Sequence, residues 1–480
     1  MRRDLPILLL ALAACGGDSK AHPDAGVPPI DGRPIDGPID AMTMIDAPPD
    51  APSQATARIW AVGDFVTNNL TIAGGFLDTA TLPVTPPLAA QVPASGELFD
   101  GTGAVAELDA AGAKIAFVAN ATDATRYDLY VANADGSSPM LLVQGQPNLE
   151  IPQITLSPDA TKVAFLMDST TVNDGYDLWV VATTGTDTPV QLSPTRPTAA
   201  LTPDKMDVFP AFTWSADSRY IAFSGDLTES DYDQAYVVDT AATTPVAVEL
   251  LARADIATQV AGTAQGVRGA VQLDNAGNAW FRARTIAGSP LFQLFRATLA
   301  GARTQVTLPA RADATTPDIG AFSLTPDGAT LVFSADAPTV TRYDVYAVAA
   351  AGGTPTNLTN LAASGRASFS APMWFSPDGT KVAVIANFLS TRNDPYVINL
   401  DGSGMHRLVN AMATCAACSS PDAEILQWVG NATLYATGDL TANNDTKLYR
   451  LDATATEQTP TLALDVPASG DVIKLVVVAL

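Results

Sequence analysis

The side chains best suited to nucleophilic or metal chemistry are three cysteines and two histidines. Cys415 and Cys418 form a CAAC pair late in the chain, and Cys15 stands alone near its start. Histidine is the commonest metal ligand and neutral-pH base, but neither His22 nor His406 has a second histidine nearby. A zinc site at the CAAC pair would need further ligands, with only His406 close in sequence. The sequence therefore predicts no metal centre and no cofactor.

The CAAC pair has a structural interpretation. A redox-active pair needs a setting such as a helix N-terminus that lowers the thiol pKa, and the surrounding sequence is β-rich. In an exported chain the default fate of paired cysteines is oxidation. We therefore predict that Cys415 and Cys418 form a disulfide or an inert staple in a loop.

The sequence lacks the motifs of two hydrolase classes. The chain has no GxSxG elbow with a downstream histidine, which serine hydrolases of that type require. Asp378 and Gly379 are adjacent, whereas the Asp box of sialidases separates these residue types by one position, and no arginine triad can be placed. The sequence thus assigns no catalytic residue.

Acidic loops are the remaining candidates for ligand binding. They collect oxygen ligands suited to calcium but lack EF-hand spacing; they are residues 121–128, 170–177, 227–233 and 442–447. Aspartate also caps turns and solvates exposed loops. We prefer this second interpretation and predict no metal ligands among them.

Composition limits the partners of the chain. The 480 residues include 50 acidic and 26 basic residues, a formal net charge of −24. Such a charge repels nucleic acid and anionic lipid headgroups. With 47% hydrophobic and 16% charged residues, the chain has ample material for a folded core.

The first residues predict export. Residues 1–14 combine Arg2 and Arg3 with an apolar run too short to span a bilayer, which is a secretory signal pattern. The segment LAACG (12–16), at the end of this run, resembles the lipobox of bacterial lipoproteins, and this resemblance implies lipidation of Cys15 as the mature N-terminus. No aspartate follows Cys15 directly, and by the same resemblance an outer-membrane location is expected.

Residues 15–55 have the composition of a spacer. They include the low-complexity run PPIDGRPIDGPIDAMTMIDAPPDAP and contain no aromatic residue. Proline favours extended backbone and removes hydrogen-bond donors. The sequence predicts a disordered linker that holds residues 56–480 away from the membrane.

Residues 56–480 contain a recurring ten-residue unit. Its clearest copies are LSPDATKVAF (156–165), WSADSRYIAF (214–223), LTPDGATLVF (324–333) and FSPDGTKVAV (375–384). Alternating apolar residues flank a turn of Pro, Asp and Gly or Ala, a pattern that predicts strand, tight turn, strand. The turn aspartates are predicted to be structural, and they are Asp159, Asp217, Asp327 and Asp378.

A second pattern follows about ten residues later in most units. It predicts a third strand ending in a glycine turn, then a short apolar strand, as in RYDLYVANADG (126–136) and RYDVYAVAAAGG (342–353). Four strands per unit make a propeller blade. The two patterns together resemble the WD-like repeats of TolB-type propellers, and Asp128, Asp177, Asp344 and Asp394 match the aspartate that precedes the third strand in that family.

The spacing of the units predicts the number of blades. Seven units begin at a mean interval of 53 residues, and an eighth can be assembled from the two ends of the chain. In that arrangement residues 472–479 supply the inner strand of the blade whose outer strands begin near Ile59, which leaves no open edge. We predict a single all-β propeller with eight blades, with seven as the alternative.

The predicted function follows from the anchor, the spacer and the propeller. Resemblance to TolB-like proteins implies a monomeric protein-interaction or scaffolding module of the cell envelope, exported and facing the periplasm or cell surface. The alternative is a carbohydrate- or peptide-directed binding protein or hydrolase that uses carboxylates at the channel mouth. Because the chain is acidic, we predict that it binds no nucleic acid and that it contacts the membrane only through the lipid anchor.

Overall fold

The computed structural model describes the strands of the predicted propeller and most of their turns. The described residues are 58–63, 73–78, 106–109, 112–120, 123, 125–145, 150–169, 172–195, 207–228, 232–256, 265–286, 289, 291–308, 311, 316–337, 342–359, 369–388, 393–410, 423–438, 440–441, 447–464 and 472–478. The signal segment, the linker, Cys15, Cys415 and Cys418 lie outside these ranges.

The described chain is almost entirely β. The first strands are β1 (Arg58–Gly63), β2 (Ala73–Asp78), β3 (Ala106–Leu108), β4 (Lys114–Ala119), β5 (Asp128–Asn133), β6 (Met140–Val143), β7 (Gln153–Leu156), β8 (Lys162–Ser169), β9 (Val172–Ala182) and β10 (Val190–Gln191). The next are β11 (Thr213–Trp214), β12 (Tyr220–Gly225), β13 (Tyr232–Asp239), β14 (Val248–Leu251), β15 (Gln265–Val267), β16 (Gln272–Leu273), β17 (Ala279–Arg284), β18 (Gln293–Ala297) and β19 (Arg303–Gln305). The last are β20 (Ile319–Leu324), β21 (Thr330–Ala335), β22 (Asp344–Ala349), β23 (Thr356–Asn357), β24 (Phe369–Phe375), β25 (Lys381–Ala386), β26 (Asp394–Asn399), β27 (Met405–Arg407), β28 (Ala423–Val429), β29 (Thr433–Gly438), β30 (Lys447–Asp452), β31 (Thr461–Leu464) and β32 (Val472–Val478). One 3₁₀ turn, Arg253–Asp255, interrupts them.

Among the described strands, five separate sheets have four strands each, paired in chain order. They are β3 to β6, β7 to β10, β20 to β23, β24 to β27 and β28 to β31. All their pairs are antiparallel, so each sheet is a meander of the kind that forms a propeller blade. The predicted all-β propeller of four-stranded blades is confirmed.

The count of separate blades differs from the prediction of eight and from its alternative of seven. Besides the five four-stranded sheets, the described strands form one nine-stranded sheet, β11 to β19, and one three-stranded sheet, β2-β1-β32. The nine strands join because β13 and β15 pair in parallel at Tyr232 with Gln265 and at Asp233 with Gly266. A short parallel contact between neighbouring repeats therefore merges what the sequence pattern separates.

The two ends of the folded region pair with each other. β1 and β32 are antiparallel, with Arg58 opposite Val478 and Ala61 opposite Leu475. β1 pairs with β2 on its other edge. The predicted pairing of the N- and C-terminal strands is thus observed, and it covers an edge that would otherwise be open.

Each SPDG-like turn is held by its own side chains. In the first clear copy the hydroxyl of Ser157 donates to Asp159 Oδ1 at 2.6 Å, and the N–H of Thr161 donates to the same oxygen at 3.1 Å. The N–H of Lys162 donates to Ser157 Oγ at 3.0 Å. The equivalent hydroxyl-to-aspartate bonds are 2.5 Å at Asp217, 2.6 Å at Asp327 and 2.6 Å at Asp378.

The hydrophobic core lies between successive sheets. One buried cluster joins Val118 and Leu129 of the β3 to β6 sheet to Ile154 and Phe165 of the next sheet. Other clusters join each following pair of neighbours in the same way. Within several sheets an aromatic pair stacks across the second and third strands, as Phe333 does on Tyr346 with centroids 5.7 Å apart.

Hydrogen bonds also join inner strands of successive repeats. Trp428 Nε1 donates to the carbonyl oxygen of Trp374 at 2.8 Å, and Trp214 Nε1 donates to that of Thr155 at 3.2 Å. The N–H of Leu156 donates to a carboxylate oxygen of Glu107 at 3.2 Å. The blades are therefore fixed in register by polar contacts as well as by apolar packing.

Candidate functional site

Two sets of connections emerge from opposite faces of the blades. Because strands within a blade are antiparallel, the SPDG-like turns lie on one face. The connections from second to third strand, and from one blade to the next, lie on the other face, which we name the loop face. Loops on such a scaffold carry most binding and catalytic residues. The described side chains that gather charge there form the candidate site.

Three arginines meet on the loop face. Arg282 and Arg284 are alternate residues of β17, so their side chains leave the same side of the strand. β15 pairs with this end of β17, with Gly266 opposite Arg284. The N–H of Arg268 then donates to the carbonyl oxygen of Arg282 at 3.1 Å. We name Arg268, Arg282 and Arg284 the arginine cluster.

Arg282 reaches the next repeat. Its Nη1 atom donates to the carbonyl oxygens of Ile319, at 3.2 Å, and Gly320, while Nε donates to the carbonyl oxygen of Arg268 at 3.0 Å. A register shift in β20 between Ile319 and Phe322 removes Gly320 and Ala321 from the strand ladder. Such bulges redirect backbone groups, and here one freed carbonyl accepts from Arg282.

Arg268 faces the preceding repeat. Its Nη1 atom lies 2.8 Å from Oδ2 of Asp233, a carboxylate that is almost completely buried. Gly266 makes this approach possible, since it has a φ of +93° and a Cβ at its position would lie 2.1 Å from the carbonyl oxygen of Asp233. Only glycine accepts both conditions without strain. The cluster is thus built by three successive repeats.

Two phenylalanine rings flank the guanidinium groups. Cζ of Arg284 lies 4.2 Å from the ring centroid of Phe292, and Cζ of Arg282 lies 4.8 Å from it. Arg268 lies 5.8 Å from the ring centroid of Phe209. These are cation–π distances, which orient the arginines without neutralising them.

Asp318 accepts hydrogen bonds from Phe292 and Tyr343 beside the arginine cluster. Its Oδ1 accepts the N–H of Phe292 at 2.7 Å, and its Oδ2 accepts the hydroxyl of Tyr343 at 2.6 Å. Burial, followed by this hydrogen bond to a carboxylate, raises the pKa of Tyr343. Tyr343 therefore stays protonated at neutral pH and acts as a fixed donor.

Within the arginine cluster, the positive charge of one arginine lowers the pKa of another. Burial lowers the pKa of Arg282, and the positive charges of Arg284 and Arg268 lower it further against the opposing effect of Asp318. Burial and Arg268 lower the pKa of Arg284. Guanidinium groups nevertheless remain charged at neutral pH. The cluster is a local concentration of positive charge in an acidic chain.

Arg282 differs from the other buried arginines. Arg342 pairs with Asp344 at 3.0 Å, and Arg407 pairs with Asp394 at 3.1 Å. Among the described residues, by contrast, Arg282 hydrogen-bonds only to carbonyl oxygens and has no carboxylate within 4 Å. A partly buried guanidinium of this kind suits an external anion.

The residues proposed from sequence occupy other positions. The four turn aspartates lie in the SPDG-like turns, on the face opposite the loop face and away from the cluster; they are Asp159, Asp217, Asp327 and Asp378. Of the aspartates that precede the third strand, Asp128 pairs with Arg126 at 2.9 Å, and Asp344 and Asp394 form the pairs given above. Asp177 accepts the hydroxyl of Ser193 at 3.0 Å. Cys15, Cys415 and Cys418 lie outside the described residues.

The described residues contain neither a candidate metal site nor a candidate membrane-spanning helix. In the part of the chain that the structure describes, no three His, Cys, Asp or Glu side chains are grouped to hold a metal ion. All four acidic segments are partly described: in the first, Asp123 forms an ion pair with Arg126 at 2.9 Å, and residues 172–177 of the second lie in strand β9 and not in a loop. No helix within the described ranges has the length and apolar character to cross a membrane.

The arginine cluster was missed from sequence. Its only local signal is FRAR (281–284), in one of the two repeats whose third strand lacks the aspartate motif, with Arg268 thirteen positions before its first residue. Alternation in FRAR predicts a shared side for Arg282 and Arg284. Nothing in the sequence places Arg268 opposite them, because the β15–β17 pairing is a tertiary contact.

Comparison with known proteins assigns no family to this chain. No protein-family model matches the chain, and no curated protein matches it significantly. A solved prolyl endopeptidase is 11% identical with a TM-score of 0.48, and the match covers 77% of this chain and 50% of that chain. An oligogalacturonate lyase in complex with manganese is 13% identical with a TM-score of 0.46, covering 83% of this chain and 98% of that chain. The chain thus spans half the length of the prolyl endopeptidase, and neither likeness concerns its chemistry. By its own strand pairing, the chain is an all-β propeller of four-stranded blades.

Proposed function

We propose that this chain is a TolB-like propeller lipoprotein that binds other proteins of the cell envelope through its loop face. The observation that carries the proposal is the arginine cluster, to which three successive repeats contribute. Arginine and aromatic residues are enriched at the energetic centres of protein interfaces. Arg268, Arg284, Phe209 and Phe292 combine both residue types in half-buried positions from which a partner can be reached.

The test compares two double variants in intact envelopes. Arg268→Gln with Arg284→Gln removes two charges from the loop face, and Arg219→Gln with Arg303→Gln removes two charges elsewhere. Arg219 and Arg303 form ion pairs with Asp239 and Asp255. We expect cross-linked partners to be lost only with the first variant. A wild-type chain that captures no reproducible partner contradicts the proposal.

The cellular location of the chain is part of the same proposal. Cys15 is the lipidated residue, residues 1–14 are removed, and the anchor holds the propeller at the outer membrane. Cys15→Ser prevents lipidation and moves the chain to the soluble fraction on membrane fractionation. A variant that stays in the outer membrane fraction contradicts the lipid anchor.

We also propose eight blades. In the nine-stranded sheet, β13 and β15 pair at only two positions, while β12 to β14 and β17 to β19 form antiparallel meanders on either side. The three-stranded sheet then supplies a further blade from both chain ends. An experimental map of the propeller that contains seven or fewer blades contradicts this count.

The alternative is a carbohydrate- or peptide-directed hydrolase. Its supporting observation is that two carboxylates, Asp233 and Asp318, lie beside the arginine cluster. A pair of carboxylates can cleave a glycosidic bond. Purified protein incubated with neutral and acidic oligosaccharides and peptides tests it: product release that Asp318→Asn abolishes favours the hydrolase, and unchanged substrates favour the binding module.

A further inference from the structure

We infer that Met140 is a methionine-sulfoxide site, at which a peroxide reversibly loosens the contact between the first two four-stranded sheets. Met140 is the first residue of β6, the last strand of the β3 to β6 sheet. This site lies apart from the loop face and goes beyond the proposed interaction role. Its thioether is held by the second sheet and can be reached from solvent.

The thioether of Met140 packs against a glycine of the next sheet. Gly185 lies in the turn between β9 and β10 and has a φ of +73°. A Cβ built at Gly185 would lie 2.5 Å from Sδ, 3.0 Å from Cγ and 3.1 Å from Cε of Met140. The end of the methionine side chain therefore fills the space that a side chain at Gly185 would need. Glycine alone allows this approach at such a φ.

Met140 also packs against the buried cluster between the same two sheets. This cluster includes Val131 of β5 and Val181 of β9. Methionine suits an irregular contact of this kind because its side chain is unbranched and its sulfur is polarizable. Met140 thus closes the apolar interior of this junction where it meets solvent.

Met140 is half-buried, and the residues around it are open to solvent. Pro139 and Gly185 are exposed, and Leu141 is 42% exposed. Met373 differs, because it is only 5% exposed and belongs to the buried cluster between the β20 to β23 and β24 to β27 sheets. Oxidation follows exposure. A small oxidant therefore reaches Met140 more readily than Met373.

Hydrogen peroxide converts such a thioether to a sulfoxide in one balanced step. The sulfur attacks one peroxide oxygen, the O–O bond breaks, and the departing hydroxide takes the proton of the transferred oxygen and leaves as water. Sulfur is thereby oxidised and the peroxide is reduced. The product is polar where the thioether was apolar, and methionine sulfoxide reductases can reverse the change.

The added oxygen changes the contact that Met140 makes. It adds bulk beside Gly185, where the thioether already fills the available space. It also places a polar group against an apolar cluster, and such burial costs free energy. The sulfoxide therefore moves away from the turn, and the junction between the two sheets loosens.

Peroxide treatment of the purified folded chain, followed by peptide mass spectrometry, tests the site. We expect the peptide that contains Met140 to be oxidised at least about fivefold faster than the peptide that contains Met373. Equal rates for the two peptides overturn the inference.

Met140→Leu isolates the effect on the junction, because it keeps an apolar side chain of similar volume that cannot be oxidised. Peroxide should lower the urea concentration at half-unfolding of the wild type, and a methionine sulfoxide reductase with a thiol reductant should restore it. The same treatment should change Met140→Leu less, since only methionines elsewhere are then oxidised. Equal decreases in the two treated proteins overturn the inference.

Further variants test the contact with Gly185. Met140→Gln places a polar group at the contact without peroxide and should unfold at lower urea than Met140→Leu. Gly185→Ala fills the space that Met140 occupies, so peroxide should then destabilise less. Gly402→Ala, with a φ of +76° and nothing within 4 Å of the added Cβ, is its control for backbone strain.

Two outcomes of these variants contradict the contact. A peroxide effect of the same size in Gly185→Ala and Gly402→Ala overturns the inference. So does a Met140→Gln protein that is as stable as Met140→Leu, and this comparison decides if Gly185→Ala does not fold.

Discussion

Arg282 Nη1 lies 3.2 Å from the carbonyl oxygen of Ile319, and this bond joins the second strand of one repeat to the inner strand of the next. The contact depends on the bulge in β20, which frees the neighbouring carbonyl of Gly320 as well. One arginine thereby holds a blade junction.

The first prediction concerns that junction. Arg282→Met keeps an unbranched apolar stem but leaves three carbonyl oxygens without this donor, which should cost about 1–3 kcal/mol of unfolding free energy in urea. Arg219→Met is the matched control, because Arg219 is 52% exposed and paired with Asp239 at the surface. Its loss should cost less than about 1 kcal/mol. Equal effects of the two substitutions would contradict the junction role of Arg282.

The second prediction concerns Gly266. Gly266→Ala places a methyl group against the carbonyl oxygen of Asp233 at a φ of +93°, so it should destabilise the fold by about 3 kcal/mol. Gly402→Ala is the control, since Gly402 has a φ of +76° with nothing within 4 Å of the added Cβ. It should cost about 1 kcal/mol from backbone strain alone. Urea unfolding of both variants checks the difference, which vanishes if the contact with Asp233 is unimportant.

A third prediction compares two turns of the same type. Ala160 has a φ of 55° at the position that Gly379 occupies, with a φ of 65°, in the later turn. Glycine accepts this left-handed conformation and alanine is strained by it. Ala160→Gly should therefore raise the unfolding free energy by about 0.5–1 kcal/mol, after allowance for the freer unfolded chain. Gly379→Ala should lower it by a similar amount, and the same sign for both would refute the strain argument.

The fourth prediction is a loss of stability in acid. The hydroxyl of Thr325 and then the N–H of Ala329 hold the pKa of Asp327 below its usual value. A carboxyl group whose pKa is lower in the folded state stabilises the fold above its unfolded pKa, which is about 3.9. That stabilisation is lost as pH falls through the folded value. The urea concentration at half-unfolding should therefore decrease as the pH is lowered below about 4. The decrease should be less steep for Asp327→Asn than for the wild type, and the same dependence on pH in both proteins would contradict the prediction.

The fifth prediction tests ring closure. Deletion of residues 472–480 removes β32 and leaves one edge of β1 without a partner. Unpaired strand edges promote association, so the shortened chain should unfold at lower urea and form concentration-dependent oligomers on size-exclusion chromatography. Deletion of residues 479–480 alone, which spares β32, is the control. A monomeric product of unchanged stability would show that the β1–β32 pairing does not close the ring.

Local chemistry explains why the blades could be predicted. In LSPDATK the bonds that close the turn join Ser157, Asp159 and Lys162, which lie within six residues of one another. Because such contacts do not depend on the rest of the chain, each repeat carries its own turn signal. The β1–β32 pairing was likewise predicted, since the interval between repeats required a strand at residues 472–479.

The sequence by itself therefore determined an all-β propeller, its four-stranded repeat and the pairing of its ends. Only the tertiary structure decided how neighbouring repeats join, because the parallel contact of Asp233 with Gly266 links residues of different units. The arginine cluster was decided in the same way. Arg268 meets Arg282 across β15 and β17, and Arg282 meets Ile319 through a bulge in another repeat. Periodicity encodes what recurs within a repeat, whereas this site depends on contacts between three successive repeats.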